Sequence, residues 1–179
     1  MDGLDPDLAS VGKAIGNGVP VSAVVGKPHI LAGFEEGRVA RGGTFSGNPL
    51  ACAAVSSTLA LLDQSDYAQL IRRGEALRAA VESLFKAQGI TVTTSGYGNV
   101  FGIWRAATAP VTYEQASRIA NPAFSKALHL ALREAGVLMM PSPYGRIYIS
   151  FEHDDEVIEA MKLAFDKAAR NLSALFADA

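Results

Sequence analysis

The chain has 179 residues, 49% of them hydrophobic and 19% charged, with 16 Lys and Arg against 18 Asp and Glu. That length fits one ordinary domain, or a small domain with part of another, and the near-even charge gives no sign of the clustered basic surface that nucleic acid requires. One cysteine, Cys52, leaves no internal disulfide or multi-cysteine metal site, and the three histidines lack metal-ligand spacing.

Taken in chain order, the pattern predicts short strands over 8–13 and 19–26, with Gly16, Asn17 and Gly18 as the turn between them. The second run, VPVSAVVG, has a single polar residue, Ser22, as expected of a strand covered on both faces. Lys13 closes the first strand. A lysine at the end of a buried strand is costly unless its amine is paired or used chemically; the plainer alternative is an amine that reaches solvent at a strand end. Lys27-Pro28 opens a short helix ending near Gly33 to Gly37. The loop RGGTFSGNP follows, and Asn48-Pro49 reads as the start of an alanine-rich helix. The freed backbone amides of this loop, with the hydroxyls of Thr44 and Ser46, suit an anion; alone, the segment is more simply an ordinary loop with a capped helix start.

Beyond Ser65 the character changes. Tyr67, Leu70, Ile71, Gly74, Leu77, Val81, Leu84 and Phe85 recur at helical intervals, and Gly89 suits the helix end. Strands are expected at 90–95 and 99–104, a loop near 106–121, and a helix over 122–135 ended by Gly136. VLMM and RIYISF read as two more strands around the Pro141 to Gly145 turn. Asp154 is a plausible N-cap for a last helix, with Met161, Phe165, Ala168, Leu172 and Leu175 forming a seam that most simply buries against a sheet. Residues 67–179 therefore form a credible compact α+β unit, and residues 1–66 resemble a piece of something larger.

No phosphate-binding P-loop or dinucleotide fingerprint is present. Together, though, PDLASVGKAIGNGVPVSAVVG followed by GGTFSGNPLACAA closely resembles the class III (fold-type I) pyridoxal-phosphate aminotransferases, in particular the glutamate-1-semialdehyde aminomutase-like branch. YISFEHDDEVIEAM is similar to the strand–turn–helix that closes the small domain of that branch. The resemblance implies an α/β fold in two parts. Residues 1–66 would be the trailing part of the cofactor-binding large domain, and residues 67–179 the small C-terminal α+β domain.

It implies pyridoxal 5'-phosphate held as a Schiff base by Lys13. That lysine must first lose its proton, from an ordinary pKa of about 10.4. Thr44 would reach the cofactor phosphate of the partner subunit in a homodimer, with Ser46 and Gly47 shaping the loop. Many family members grip the substrate carboxylate with an arginine in the last small-domain strand. That position is Tyr148 here, with Arg146 two residues earlier on the same face; a solvated Arg146 is the plainer alternative.

The implied activity is amino-group transfer on a small amino donor and acceptor, either as an aminotransferase or as an aminomutase. Family members are more than twice as long, so the chain is expected to correspond to their carboxy-terminal portion. The competing expectation is a catalytically silent fragment that self-associates or docks on a complementary half. No apolar run approaches the roughly 20 residues of a membrane span, and MDGLDPDLAS lacks the features of a secretory signal. A cytoplasmic location without membrane or nucleic-acid partners is expected.

Overall fold

The computed structural model describes residues 3, 5–40 and 42–178. The first residues of the amino-terminal stretch and the Arg41 that opens the glycine loop lie outside the described residues. The chain divides into two compact units, Met1–Ser65 and Asp66–Ala179.

In the first unit, β1 (Leu8–Gly12) and β2 (Ser22–Gly26) form an antiparallel pair in the register Leu8↔Gly26 to Gly12↔Ser22. A 3-10 turn over Lys13–Gly16 follows β1, and the chain reverses through Asn17 and Gly18, both at positive φ. Lys13 is thus in the turn and not on the strand. Gly26 is required where it stands, because a Cβ there would lie 2.4 Å from the Asp7 carbonyl oxygen. Helix α1 (Pro28–Glu35) begins with the proline at its first position. Helix α2 (Pro49–Asp63) is capped by Asn48, whose side-chain oxygen accepts from the Ala51 amide at 3.1 Å.

The expectation of a strand covered on both faces is not met. Among the described residues of the unit β2 pairs only with β1, and α1 and the 3-10 turn lie beside it, so Val24 and Val25 are exposed.

In the second unit, α3 (Tyr67–Ala87), α5 (Pro122–Glu134) and α6 (Asp155–Phe176) accompany a three-stranded antiparallel sheet in the order β3 (Thr93–Tyr97), β4 (Val100–Trp104), β5 (Ile147–Tyr148). Leu77, Val81 and Phe85 from α3 join Phe101, Phe124, Leu128 and Phe165 in one core. At Gly74 the helix meets the hairpin: a Cβ there would lie 2.3 Å from the Gly98 carbonyl oxygen. Glu75 accepts from the Gly98 amide, and Glu82 from the Thr94 amide, each at 2.8 Å, which satisfies backbone donors on the β3 side. Arg73 of α3 pairs with Asp155 of α6 at 2.7 Å.

Several expectations are corrected. VLMM is not a strand, and β5 covers only two residues of RIYISF. The loop near 106–121 contains α4 (Tyr113–Ile119), held by a capping box between Thr112 and Gln115. The first hairpin strand lies later than 90–95, with Gly96 inside it opposite Phe101. Helix α6 runs beside α3 and α5, and its seam shares one core with Phe101, Ile103 and Ile147 of the sheet, while Leu175 at its end is exposed.

Candidate functional site

The positions singled out in the sequence fall into two sets, one in each unit. Lys13 opens the 3-10 turn with a φ of 55°, a left-handed conformation that a side-chain-bearing residue adopts only at a cost. Such strain concentrates where the surroundings fix a residue for a task. The turn is anchored from below. It packs against α2, and Gly16 is buried so closely that a Cβ there would meet Val21 Cγ1 at 2.5 Å. Lys13 itself is exposed, and its Nζ makes no hydrogen bond or ion pair among the described residues.

The contrast is Lys27, just after β2. Its Nζ lies 2.8 Å from Asp7 Oδ1 and 2.9 Å from Asp5 Oδ2. Bonding to Asp7, and then to Asp5, holds its pKa above the ordinary lysine value. Lys27 is held between two carboxylates, while Lys13 Nζ has no partner among the described residues.

Thr44, Ser46 and Gly47 lie on two successive turns. The Ser46 amide donates to the Gly43 carbonyl at 2.9 Å and the Asn48 amide to that of Phe45 at 3.1 Å. Gly47 takes a φ of 68°, which only glycine adopts freely. The loop runs directly into the capped end of α2, the helix that also carries the Lys13 turn. One helix thus supports both segments. The hydroxyls of Thr44 and Ser46 are exposed and donate no hydrogen bond among the described residues. The Lys13 amine and the Thr44 and Ser46 hydroxyls stand at separate positions, the amine of a kind that fits an aldehyde and the hydroxyls of a kind that fits a phosphate.

In the second unit, Tyr148 is 65% exposed and stands opposite Val100 across the β4–β5 ladder. Arg146, just before β5, is half-buried; its Nη1 donates to the Tyr144 carbonyl at 3.3 Å. The guanidinium lies where a side chain at position 102 would project: a Cβ on Gly102 would be 2.8 Å from Nη1. Arg146 and Tyr148 line a common cavity of about 580 Å³, together with His129 and His153. Sequence reading missed Gly102 and the two histidines. A lone glycine inside the strand run VFGIW is the signal that would have found Gly102, since it marks a close approach.

Residues 1–165 match the family model described as aminotransferase class-III. Over 160 residues the chain is 36% identical to a glutamate-1-semialdehyde 2,1-aminomutase of Nitratidesulfovibrio vulgaris (strain DP4), covering 89% of this chain and 38% of the relative. Among solved structures, a β-phenylalanine aminotransferase from Variovorax paradoxus aligns with a TM-score of 0.84 at 27% identity, over 99% of this chain and 41% of its own. A transaminase with PLP bound aligns with a TM-score of 0.79 at 26% identity, over 96% of this chain and 40% of its own. The chain therefore spans about two fifths of the length of the proteins it is similar to.

Proposed function

The chain belongs to the class III aminotransferases, and from that premise we propose that it carries the reactive lysine of a pyridoxal-phosphate-dependent amino-group transfer, as an aminotransferase or a glutamate-1-semialdehyde-type aminomutase. The observation that carries this reading is the contrast between two lysines of one hairpin unit: Lys27 tied to two carboxylates, Lys13 strained, exposed and without a partner.

Pyridoxal phosphate, when bound, supplies the carbonyl that carries the amino group and the electron sink for its transfer. Lys13 Nζ, as the free amine, is the nucleophile that holds the cofactor; once displaced by substrate, the same nitrogen takes and returns the proton at the reacting carbon. Thr44 Oγ1 and Ser46 Oγ donate to phosphate oxygens, and Gly47 keeps the loop tight enough for its backbone to approach them. Thr44 performs this in the partner subunit's site, so the working form is a homodimer. Arg146 grips the carboxylate of a small amino donor or acceptor, with Tyr148 beside it. Residues 1–66 act as the trailing part of the cofactor-binding domain and residues 67–179 as the small domain. No helix among the described residues is long and apolar enough to cross a membrane, in keeping with a cytoplasmic enzyme.

A second reading, a catalytically silent module that self-associates or docks on a complementary half, draws on the exposure of Phe45, Leu50 and Leu61 in the first unit. One experiment separates the two. The chain is incubated with pyridoxal phosphate, reduced with borohydride, and the modified lysine is mapped by mass spectrometry. Stoichiometric labelling of Lys13, lost in Lys13→Ala, is the expected result. Sparse labelling spread over Lys86, Lys126, Lys162 and Lys167 would favour the silent module.

A further inference from the structure

The sheet of the second unit ends in β3, and the outer edge of that strand has a regular chemistry. The two-residue turn Gly98-Asn99 makes Tyr97 and Val100 a hydrogen-bonded pair, so Thr93, Ser95 and Tyr97 bond to β4. Thr94 and Gly96 therefore turn their backbone groups outward. The strand itself, TTSGY, has no charge and no proline, features that ordinarily deter an edge from pairing. Thr94 and Gly96 also stand symmetrically about Ser95. A second β3 laid antiparallel along this edge sets each Thr94 opposite the Gly96 of the other copy, in a closed two-fold pair.

Helix α3 takes these outward groups instead. Glu82 Oε1 accepts from the Thr94 amide at 2.8 Å and also from the Thr94 hydroxyl. Arg78 Nη1 donates to the Gly96 carbonyl at 2.8 Å. Its Nη2 lies 2.8 Å from Glu75 Oε2, and Glu75 Oε1 accepts from the Gly98 amide at 2.8 Å. Positions 75, 78 and 82 follow helical spacing, so the three side chains leave one face of α3. The signs are matched. A carboxylate takes the backbone donor and a guanidinium the backbone acceptor, each a charge-assisted bond stronger than the neutral bond of a ladder.

We propose that Glu75, Arg78 and Glu82 keep the outer edge of β3 closed, and that this edge, once they are removed, pairs strand to strand with the β3 of a second copy of this chain. The occupant is a second copy because the edge is complementary to itself about Ser95, and the strand has no charged side chain to select another partner. The inference concerns the second unit alone. Neither Lys13, Arg146 nor the cofactor enters, so it stands or falls apart from the function proposed above.

The test is made on the full chain, with amide exchange read residue by residue by NMR and a nitroxide on exposed position 97. The label needs Tyr97→Cys with Cys52→Ser, since Cys52 is the one cysteine. In the parent chain the Thr94 amide should exchange slowly at every concentration. In Arg78→Ala with Glu82→Ala it should exchange at least about tenfold faster when dilute, the loss of a charged hydrogen bond, and slow again as the chain is concentrated. The labels should then couple at roughly 15 Å, because positions 97 of the two copies lie four residues apart along the pair. Glu82→Gln, which keeps an acceptor for Thr94, should behave as the parent. Adding Thr94→Pro to the double variant removes the pairing amide and should abolish the coupling.

Should the double variant not fold, Arg78→Ala alone decides. It truncates a half-buried side chain, frees the Gly96 carbonyl, and should give the same coupling at higher concentration. Four results would each overturn the proposal. Unchanged Thr94 protection in the folded double variant would mean that Glu82 holds nothing closed. Fast exchange without coupling at any concentration would mean an opened edge that does not pair. Coupling that survives Thr94→Pro would place the contact on another face, and equal coupling in the parent chain would mean that α3 excludes no partner.

Discussion

In the second unit Phe85, Phe101, Phe124 and Phe165 are sealed from solvent, whereas in the first Phe45, Leu50 and Leu61 stand open to it and Ala51 is the one buried apolar side chain among the described residues. The two units are held differently as a result. The second has the packed core that ordinarily stabilises a domain; the first relies on a two-stranded ladder, two helix starts and the Lys27 ion pairs. A two-stranded hairpin is marginal in water on its own. Yet the first unit carries Lys13 and the Thr44 loop. The residues proposed to react thus sit in the unit that buries least apolar surface among the described residues, and the unit with the core carries a separate cavity.

The largest effect that tests this contrast comes from truncating one side chain in each unit. Phe85→Ala removes a fully buried ring that packs edge-on to Phe124, with centroids 6.0 Å apart; it should cost about 3–5 kcal/mol. Leu61→Ala removes a side chain 67% exposed and should stay within about 0.5 kcal/mol. Urea unfolding followed by the single tryptophan, buried Trp104, measures the first, and circular dichroism the second. If Leu61→Ala is as costly as Phe85→Ala, the face it occupies is covered in solution and the contrast between the units breaks.

The same contrast governs what could be read from sequence. The α3 seam and the caps at Asn48, Asp66 and Asp154 rest on local spacing and local hydrogen bonds; α3 and two of these caps, Asn48 and Asp154, were legible. Four consecutive apolar residues, VLMM, carry a strand signal, but no neighbour pairs with them and they border a cavity instead. Helix α4 buries only Ala116, too little to mark a periodic face, and its Thr112–Gln115 box was the one available sign. The Lys13 and Thr44 segments carried the resemblance to the family because their residue types are specific, and the family is what the comparison shows. The left-handed backbone of Lys13 was not legible, because strain at one residue leaves no trace in composition. Arg146 was visible, but the space it fills at Gly102 depends on strand register, which only the fold supplies.

That strain gives a smaller effect, confined to the first unit. Lys13→Ala and Lys13→Gly both remove the amine and should both lose the borohydride label. Glycine accepts a φ of 55° without a Cβ penalty, so Lys13→Gly should exceed Lys13→Ala in local stability by about 1 kcal/mol. Amide hydrogen exchange along the β1–β2 ladder resolves that difference. Equal protection in the two variants would show that the turn relaxes to an unstrained conformation and holds Lys13 under no constraint.

The smallest effects are electrostatic, and they divide the units by pH. In the second unit, the Asp155 carboxyl is held below its ordinary pKa by its hydrogen bond to Arg73 and by that residue's charge. The Asp178 carboxyl is lowered mainly by bonding to Thr91, with Arg105 adding its charge. A carboxylate whose folded pKa is depressed adds stability that is present above its unfolded value, about 3.9, and that disappears as the pH falls through the lower folded value. Lys27 in the first unit has the opposite sign. Its raised pKa adds stability that is complete below about 10.4 and is lost as the pH rises through the higher folded value. Asp155→Asn with Asp178→Asn should therefore flatten the acid limb of the melting temperature, and Lys27→Met the alkaline limb of hairpin amide protection. Both pairings face solvent, so salt near 1 M, where the screening length falls to about 3 Å, should shrink each effect. An acid limb unchanged by the double Asn variant would leave the second unit's stability to its core alone.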